Sequence, residues 1–149
     1  MTTPAVSAAT IDLTGGATRT ARLRLGRLAP GERGITALTV RYRDAADATV
    51  SLFADAVAAS ARARRLRIGV FERRGGRLPC PVFTGTLADL AARAREGRGV
   101  GRWTARGDGA EHTVTYEVQW RLPDEPAESG EPAADASAEL SVAVAAQTW

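Results

Sequence analysis

Within residues 111–123, positions 113–122 alternate strictly between polar and apolar side chains. The apolar positions on one face are Val114, Tyr116, Val118, Trp120 and Leu122. A period of two that is rich in β-branched and aromatic residues is typical of a half-buried antiparallel strand. We therefore expect this apolar face to point into the interior of the protein.

Shorter segments with the same alternation recur along the chain, separated by turn signals such as Gly15-Gly16 and Pro30-Gly31. At the second turn, proline presets φ at the first central position and glycine accepts a positive φ at the next, as a type II turn requires. The further predicted strands are residues 10–13, 19–28, 35–42, 48–54, 66–70 and 140–147. Many short strands joined by turns predict an all-β fold, an antiparallel two-sheet sandwich of the jelly-roll or immunoglobulin-like kind.

One or two short helices are expected within this pattern. Residues 57–65 are rich in alanine and arginine, which favours helix over strand. A second helix is expected to begin after Thr86, with Thr86 as N-cap and Asp89 at the third helical position, and to end near Glu96.

Prolines and glycines mark two other segments. Pro79 and Pro81 flank Cys80, which excludes a central strand there and predicts an extended edge segment. Residues 97–101 contain three glycines and are expected to form a flexible approach to Trp103.

The domain organisation predicted from these patterns is simple. Residues 1–16 form an N-terminal arm that could act as a donor strand, and residues 17–149 form the sandwich. Within the sandwich, residues 124–136 are rich in proline, glutamate and alanine and show no apolar periodicity, so a mobile acidic loop is expected there.

Charge is distributed unevenly along the chain. Residues 1–107 hold 19 arginines and 8 acidic residues, whereas residues 108–149 hold 1 arginine and 9 acidic residues. Such asymmetry suits a polyanionic partner or a head-to-tail contact between copies. The alternative is that arginines such as Arg22, Arg24, Arg41, Arg43 and Arg67 simply face water from the sheet surfaces. Because the aromatic residues are not interleaved with the arginines on one platform, nucleic-acid binding is not expected.

Few residues are available for catalysis or metal binding. The only histidine, His112, cannot form a pair of histidine ligands, and it is interpreted as a solvated turn residue. Asp44 and Asp47 could hold calcium in a loop but lack further oxygen donors at a set spacing. The single cysteine, Cys80, cannot close an intrachain disulfide and is interpreted as buried or idle. We expect no enzyme activity, no catalytic residues, no cofactor and no metal.

The location of the protein is not fixed by its composition. No run approaches the roughly 18 apolar residues that a membrane-spanning helix needs, so no membrane span is expected. The first residues, as written, lack the basic and apolar regions of a secretory signal peptide. The protein is therefore expected to be either cytoplasmic or a mature secreted form.

The order of several short motifs resembles that of a known family. The motifs are TIDL at residues 10–13, LAPG at 28–31, LTV at 38–40, LRIGV at 66–70, VFTGTLADL at 82–90, YEVQWRLP at 116–123 and AAQ at 145–147. Together they span residues 10–147 and resemble the TasA/camelysin family of secreted bacterial proteins, particularly the actinobacterial members that carry a SipW-type signal peptide.

The resemblance implies a jelly-roll-like sandwich, a secreted or cell-surface location and assembly into matrix or surface fibres. In fibre-forming relatives an N-terminal strand completes the sheet of the next subunit, which is strand addition at an open edge. Here that role would fall to Val6, Ala8, Ile11 and Leu13. The alternative is a monomeric adhesion or binding module of the same fold that recognises a polyanion or polysaccharide through an arginine-rich face.

Overall fold

A computed structural model describes residues 8–27, 31–57, 65–73, 78–122 and 137–148, and for residues 8, 24–27, 55–57 and 137–140 it describes the backbone only. The alternating segments form strands, so the predicted all-β two-sheet sandwich is confirmed. The strands are β1 (Ala8–Leu13), β2 (Thr18–Arg27), β3 (Arg33–Tyr42), β4 (Ala48–Val57), β5 (Arg67–Arg73), β6 (Cys80–Thr86), β7 (Val100–Ala105), β8 (His112–Arg121) and β9 (Ser137–Thr148). One helix, α1 (Leu87–Arg95), lies between β6 and β7.

The strands form two sheets. The first, sheet A, has the order β1-β3-β8-β5-β6, and the second, sheet B, has the order β2-β9-β4-β7. All pairings between the described strands are antiparallel except that of β1 with β3, which is parallel. The edges of sheet A are therefore β1 and β6, and the proline-flanked segment lies at an edge as predicted.

Strand β8 lies at the centre of sheet A, between β3 and β5. Its alternation has the predicted orientation, because all five apolar residues of the segment are buried: Val114, Tyr116, Val118, Trp120 and Leu122. They pack in one cluster with the inward residues of sheet B, among them Leu52, Val142 and Val144. Burial of this apolar face against the second sheet is the main source of stability for the fold.

The glycine-rich approach to Trp103 differs from the prediction, because β7 already begins at Val100 and includes Gly101. Gly101 has a φ of +65°, and the ring of Tyr116 lies against it. The buried Tyr116 hydroxyl donates a hydrogen bond of 2.5 Å to the Gly101 carbonyl. Only glycine leaves room for the ring at this position, so the residue is a packing site and not a flexible linker.

Helix α1 begins as the sequence predicts. The Asp89 amide donates to the Thr86 hydroxyl at 3.2 Å, and the Thr86 amide donates to the Asp89 carboxylate at 3.1 Å, which is a capping box. Leu87 and Leu90 are buried on the inner side of the helix.

Several predictions fall on residues outside the described ranges. Most of the helix predicted for residues 57–65 lies there, although Val57 belongs to β4. The acidic segment 124–136, Val6 and Pro30 also lie outside the described residues. Gly31, at the second central position of the predicted type II turn, has a φ of +82°.

Candidate functional site

Strand β1 occupies the edge of sheet A and runs parallel to β3. Residues 8–13 are aligned in register with residues 37–42 of β3. The next strand along the chain, β2, belongs to sheet B. The connection that follows β1 therefore crosses from one sheet to the other. Strand β1 therefore has one ladder within its sheet and one short connection to β2, the hinge at residues 14–17.

The four residues predicted for assembly do not share one environment. Ile11 and Leu13 are 6% and 2% exposed and belong to the core of their own chain. Ala8 is aligned with Ala37, and Val6 lies outside the described residues. Residues 8–13 of the predicted N-terminal arm are paired with β3 of the same chain. In the single chain, residues 8–13 thus form the edge strand of sheet A.

Ala9 was missed by the sequence analysis. It packs against the core on the same ladder as Ile11 and Leu13. The alternation Ala9, Ile11, Leu13 is the signal that would have revealed it, because residues two apart on a strand share a face.

The outer face of β1 carries one ion pair. Asp12 is aligned with Arg41, and the Arg41 Nε lies 3.0 Å from the Asp12 Oδ1. Both side chains are exposed, so the pair contributes about 0–1 kcal/mol and chiefly favours the observed register.

The hinge is held in place by four hydrogen bonds, three between backbone groups and one to a side chain. The Gly15 amide donates to the Asp44 Oδ2 at 2.6 Å, and the Gly16 amide donates to the Ala146 carbonyl at 2.8 Å. The Ala146 amide donates to the Ala17 carbonyl at 2.9 Å, and the Arg43 amide donates to the Leu13 carbonyl at 3.2 Å. Because these bonds fix both ends of the hinge, β1 can leave its own β3 only after they open.

Asp44 is the one charged side chain in these hinge contacts. Hydrogen bonds from the Gly15 and Ala45 amides hold the pKa of its carboxyl below its usual value. A carboxylate whose pKa is lowered in the folded state contributes stability that is present above the unfolded pKa, about 3.9. That contribution is lost as the pH falls through the folded-state pKa.

Asp44 and Asp47, the residues that could hold calcium, have a structural role as hydrogen-bond acceptors. The Asp47 Oδ1 accepts a hydrogen bond of 2.7 Å from the Gly107 amide, as Asp44 does from Gly15. Both carboxylates satisfy backbone amides of neighbouring loops. Within the described ranges, no group of three or more His, Cys, Asp or Glu side chains is placed to hold a metal ion.

We predict that Asp44→Asn lowers the melting temperature at pH 7, because a neutral amide oxygen accepts the Gly15 amide less strongly than a carboxylate does. Below the unfolded pKa of about 3.9 this stabilisation declines, so the difference between the two proteins should be smaller at pH 3 than at pH 7. Thermal unfolding followed by circular dichroism at both pH values measures this. An equal difference at pH 3 and pH 7 would contradict a stabilising role for the charge of the Asp44 carboxylate at the hinge.

The other chemically interesting residues have ordinary surroundings. His112 Nε2 lies 2.7 Å from the Asp108 Oδ1 at the start of β8, which fits a turn histidine. A hydrogen bond from His112 and another from the Ala110 amide lower the pKa of Asp108. Cys80 was interpreted as buried or idle; it is exposed on edge strand β6, so the first of these alternatives is wrong. Four of the five arginines expected to face water, Arg22, Arg41, Arg43 and Arg67, are exposed, and the side chain of Arg24 lies outside the described residues.

No helix within the described ranges has the length and apolar character needed to cross a membrane. Compared with known protein families, the chain matches no family model, and no curated protein sequence matches it.

Proposed function

We propose that this chain is an extracellular, non-enzymatic structural protein that self-associates into matrix or surface fibres by exchange of β1 between copies. The observation that carries the proposal is the pairing of β1. It is the one parallel strand among the described pairings, it lies at a sheet edge, and the antiparallel strands of both sheets are joined to one another without it.

Strand exchange changes few contacts in such a fold. If β1 of one copy docks on β3 of the next, Ile11 and Leu13 enter an equivalent core and the ladder to β3 forms again. Exchange therefore breaks the hinge contacts at Gly15 and Gly16. It also replaces a β1 strand tethered to its own β3 by one that comes from another copy. At high protein concentration this second cost falls, because the concentration of β1 strands from other copies approaches the effective concentration of the tethered strand.

The geometry of exchange decides between closed and open assemblies. A strand passed from each copy to the next is a heterologous contact, which forms a filament when the rotation between copies does not close a ring. The opposite net charges of residues 1–107 and 108–149 favour association between copies and help to orient them.

The extracellular location and the fibre are supported by the resemblance to the TasA/camelysin family. The motif VFTGTLADL covers residues 82–86 of β6 and the start of α1, and YEVQWRLP covers the end of β8. Strands β6 and β8 both belong to sheet A. No cofactor is required by this function.

Removal of residues 1–13 should abolish polymers and destabilise the monomer. The truncated chain loses the burial of Ile11 and Leu13, which is worth about 1.5–3 kcal/mol for each fully buried side chain. A synthetic peptide of residues 1–14 added to the truncated chain should bind the open edge of β3 and restore much of the lost stability. Urea unfolding and analytical ultracentrifugation measure the two effects.

A peptide of the same composition in scrambled order is the matched control. It keeps the charge and the alanine content but loses the alternation of Ala9, Ile11 and Leu13. Polymers formed by the truncated chain, or equal stabilisation by both peptides, would rule out β1 as the exchanged strand.

A further inference from the structure

Three arginines form a row across the outer face of sheet A. Arg121 of β8 is aligned with Arg33 of β3 on one side and with Arg67 of β5 on the other. Directly opposite residues on neighbouring strands project from the same face, so three positive charges span about 10 Å, since neighbouring strands lie about 4.8 Å apart. Like charges placed directly opposite each other destabilise a sheet.

The row has no neutralising carboxylate among the described residues. Within the part of the chain that the structure describes, none of these three guanidinium groups forms an ion pair with a carboxylate. The nearest outward carboxylate on β8, Glu117, pairs with Arg73 at 3.5 Å and accepts a hydrogen bond of 2.9 Å from Gln119. Since no carboxylate of the described residues pairs with them, the three charges are available to an anion from outside.

The arginine row borders a groove of about 700 Å³. Ile35, Phe71 and Gln119 also line this groove. Ile35 is 46% exposed, which is unusual for a large apolar side chain in this structure. The ring of Phe71 lies over Gly69, which has no side chain to displace it, so an aromatic face lies beside the charges.

We propose that this groove, the arginine groove, binds an acidic polysaccharide. Successive sugar rings carry carboxylate or sulfate groups that can reach neighbouring guanidinium groups, and arginine binds such groups with two parallel hydrogen bonds. The apolar faces of the sugars would pack on Phe71 and Ile35, and the Gln119 amide could bond their hydroxyl groups.

The observations favour a polysaccharide over a nucleic acid. Single-stranded nucleic acids bind through several aromatic side chains on which successive bases stack. The described lining of the groove offers Phe71 as an aromatic surface, whereas the other aromatic residue there, Trp120, is only 8% exposed.

The arginine groove is separate from the exchange of β1. Arg33 and Ile35 precede residues 37–42 of β3, which form the ladder with β1. Binding is therefore expected from the monomeric full chain, and its failure would leave the strand-exchange proposal standing.

Isothermal titration of the full chain with polygalacturonate tests the proposal, with neutral dextran as the reference polymer. We expect binding to polygalacturonate alone, weakened strongly by 1 M salt because exposed charges are then screened within about 3 Å. Arg121→Gln, at the centre of the row, should weaken binding about tenfold or more, since it removes charge-assisted hydrogen bonds. Arg102→Gln, an exposed arginine on β7 in sheet B, removes the same charge and should bind as the wild type does.

Further measurements distinguish an acidic polysaccharide from other anionic ligands of the arginine groove. Phe71→Leu should weaken binding several-fold if sugar rings pack on the aromatic face, and unchanged binding would overturn the polysaccharide assignment. A single-stranded oligothymidylate that binds as tightly as polygalacturonate would overturn it too. Equal losses in Arg121→Gln and Arg102→Gln would show that net charge, and not the arginine groove, attracts the polymer.

Discussion

Gly101→Ala is expected to be among the most destabilising single substitutions in this protein. A Cβ at this position would lie 2.5 Å from the Tyr116 Cε1, and the backbone φ is +65°. The left-handed backbone costs a residue other than glycine about 1–2 kcal/mol. Overpacking of a buried ring adds about 1–3 kcal/mol. We expect the free energy of unfolding to fall by most of the sum of these two contributions. Urea denaturation measures the loss.

Gly97→Ala is the matched control for the backbone contribution. Gly97 has a φ of +72°, but a Cβ there would meet nothing within 4 Å. The difference between the two variants therefore measures the cost of displacing the Tyr116 ring. Equal losses of stability would mean that the ring adapts freely, which would contradict the tight packing of β7 against β8.

Trp120→Ala is expected to cost about 3–5 kcal/mol, as for other large aromatic side chains removed from a core. Trp120 is 8% exposed and packs against Gly34 on the neighbouring strand, where a Cβ would lie 2.4 Å from the indole ring. Glycine at position 34 leaves the space that the indole fills. Removal of the indole in Trp120→Ala therefore opens a cavity where β3 and β8 meet. Urea unfolding of the variant measures the loss.

The adjacent residue on the opposite face serves as the control. Gln119 is exposed, so Gln119→Ala should change the free energy of unfolding by no more than about 0.5 kcal/mol. A loss below about 1 kcal/mol for Trp120→Ala would show that the face of β8 had been assigned wrongly.

Much of the fold could be predicted because β8 and the α1 cap are local signals. The alternation around Tyr116 and Trp120 reports which face is buried, and the Thr86–Asp89 capping box needs only residues three apart. Strand β7 could not be predicted in this way. Its glycines indicated a loop, whereas Gly101 is required by a ring that the chain brings in 15 residues later.

The candidate site depends on alignments that the sequence does not state. The motif at residues 10–13 indicated a strand, but its parallel pairing with β3 follows from the topology. The contact of Gly15 with Asp44 joins residues 29 apart. Arg33, Arg67 and Arg121 form a row only because the register of three strands aligns them. Their scattered positions along the chain gave no indication of a shared site.

A disulfide lock between β1 and β3 tests strand exchange most directly. Asp12 and Arg41 are aligned neighbours whose side chains already meet, so Asp12→Cys and Arg41→Cys in a Cys80→Ser background place two thiols within bridging reach. The single variants in the same background, which cannot form this bridge within one chain, are the controls. Assembly is followed by ultracentrifugation, and the oxidised products are separated on denaturing, non-reducing gels.

If β1 is exchanged, the double variant oxidised as a monomer stays monomeric at concentrations at which its reduced form polymerises. The same variant oxidised after assembly should give a ladder of covalently linked multimers, because each bridge then joins two copies. Polymers formed by the locked monomer would contradict the account. Assembled material that yields only single chains after oxidation, or a reduced protein that stays monomeric at every concentration, would contradict it equally.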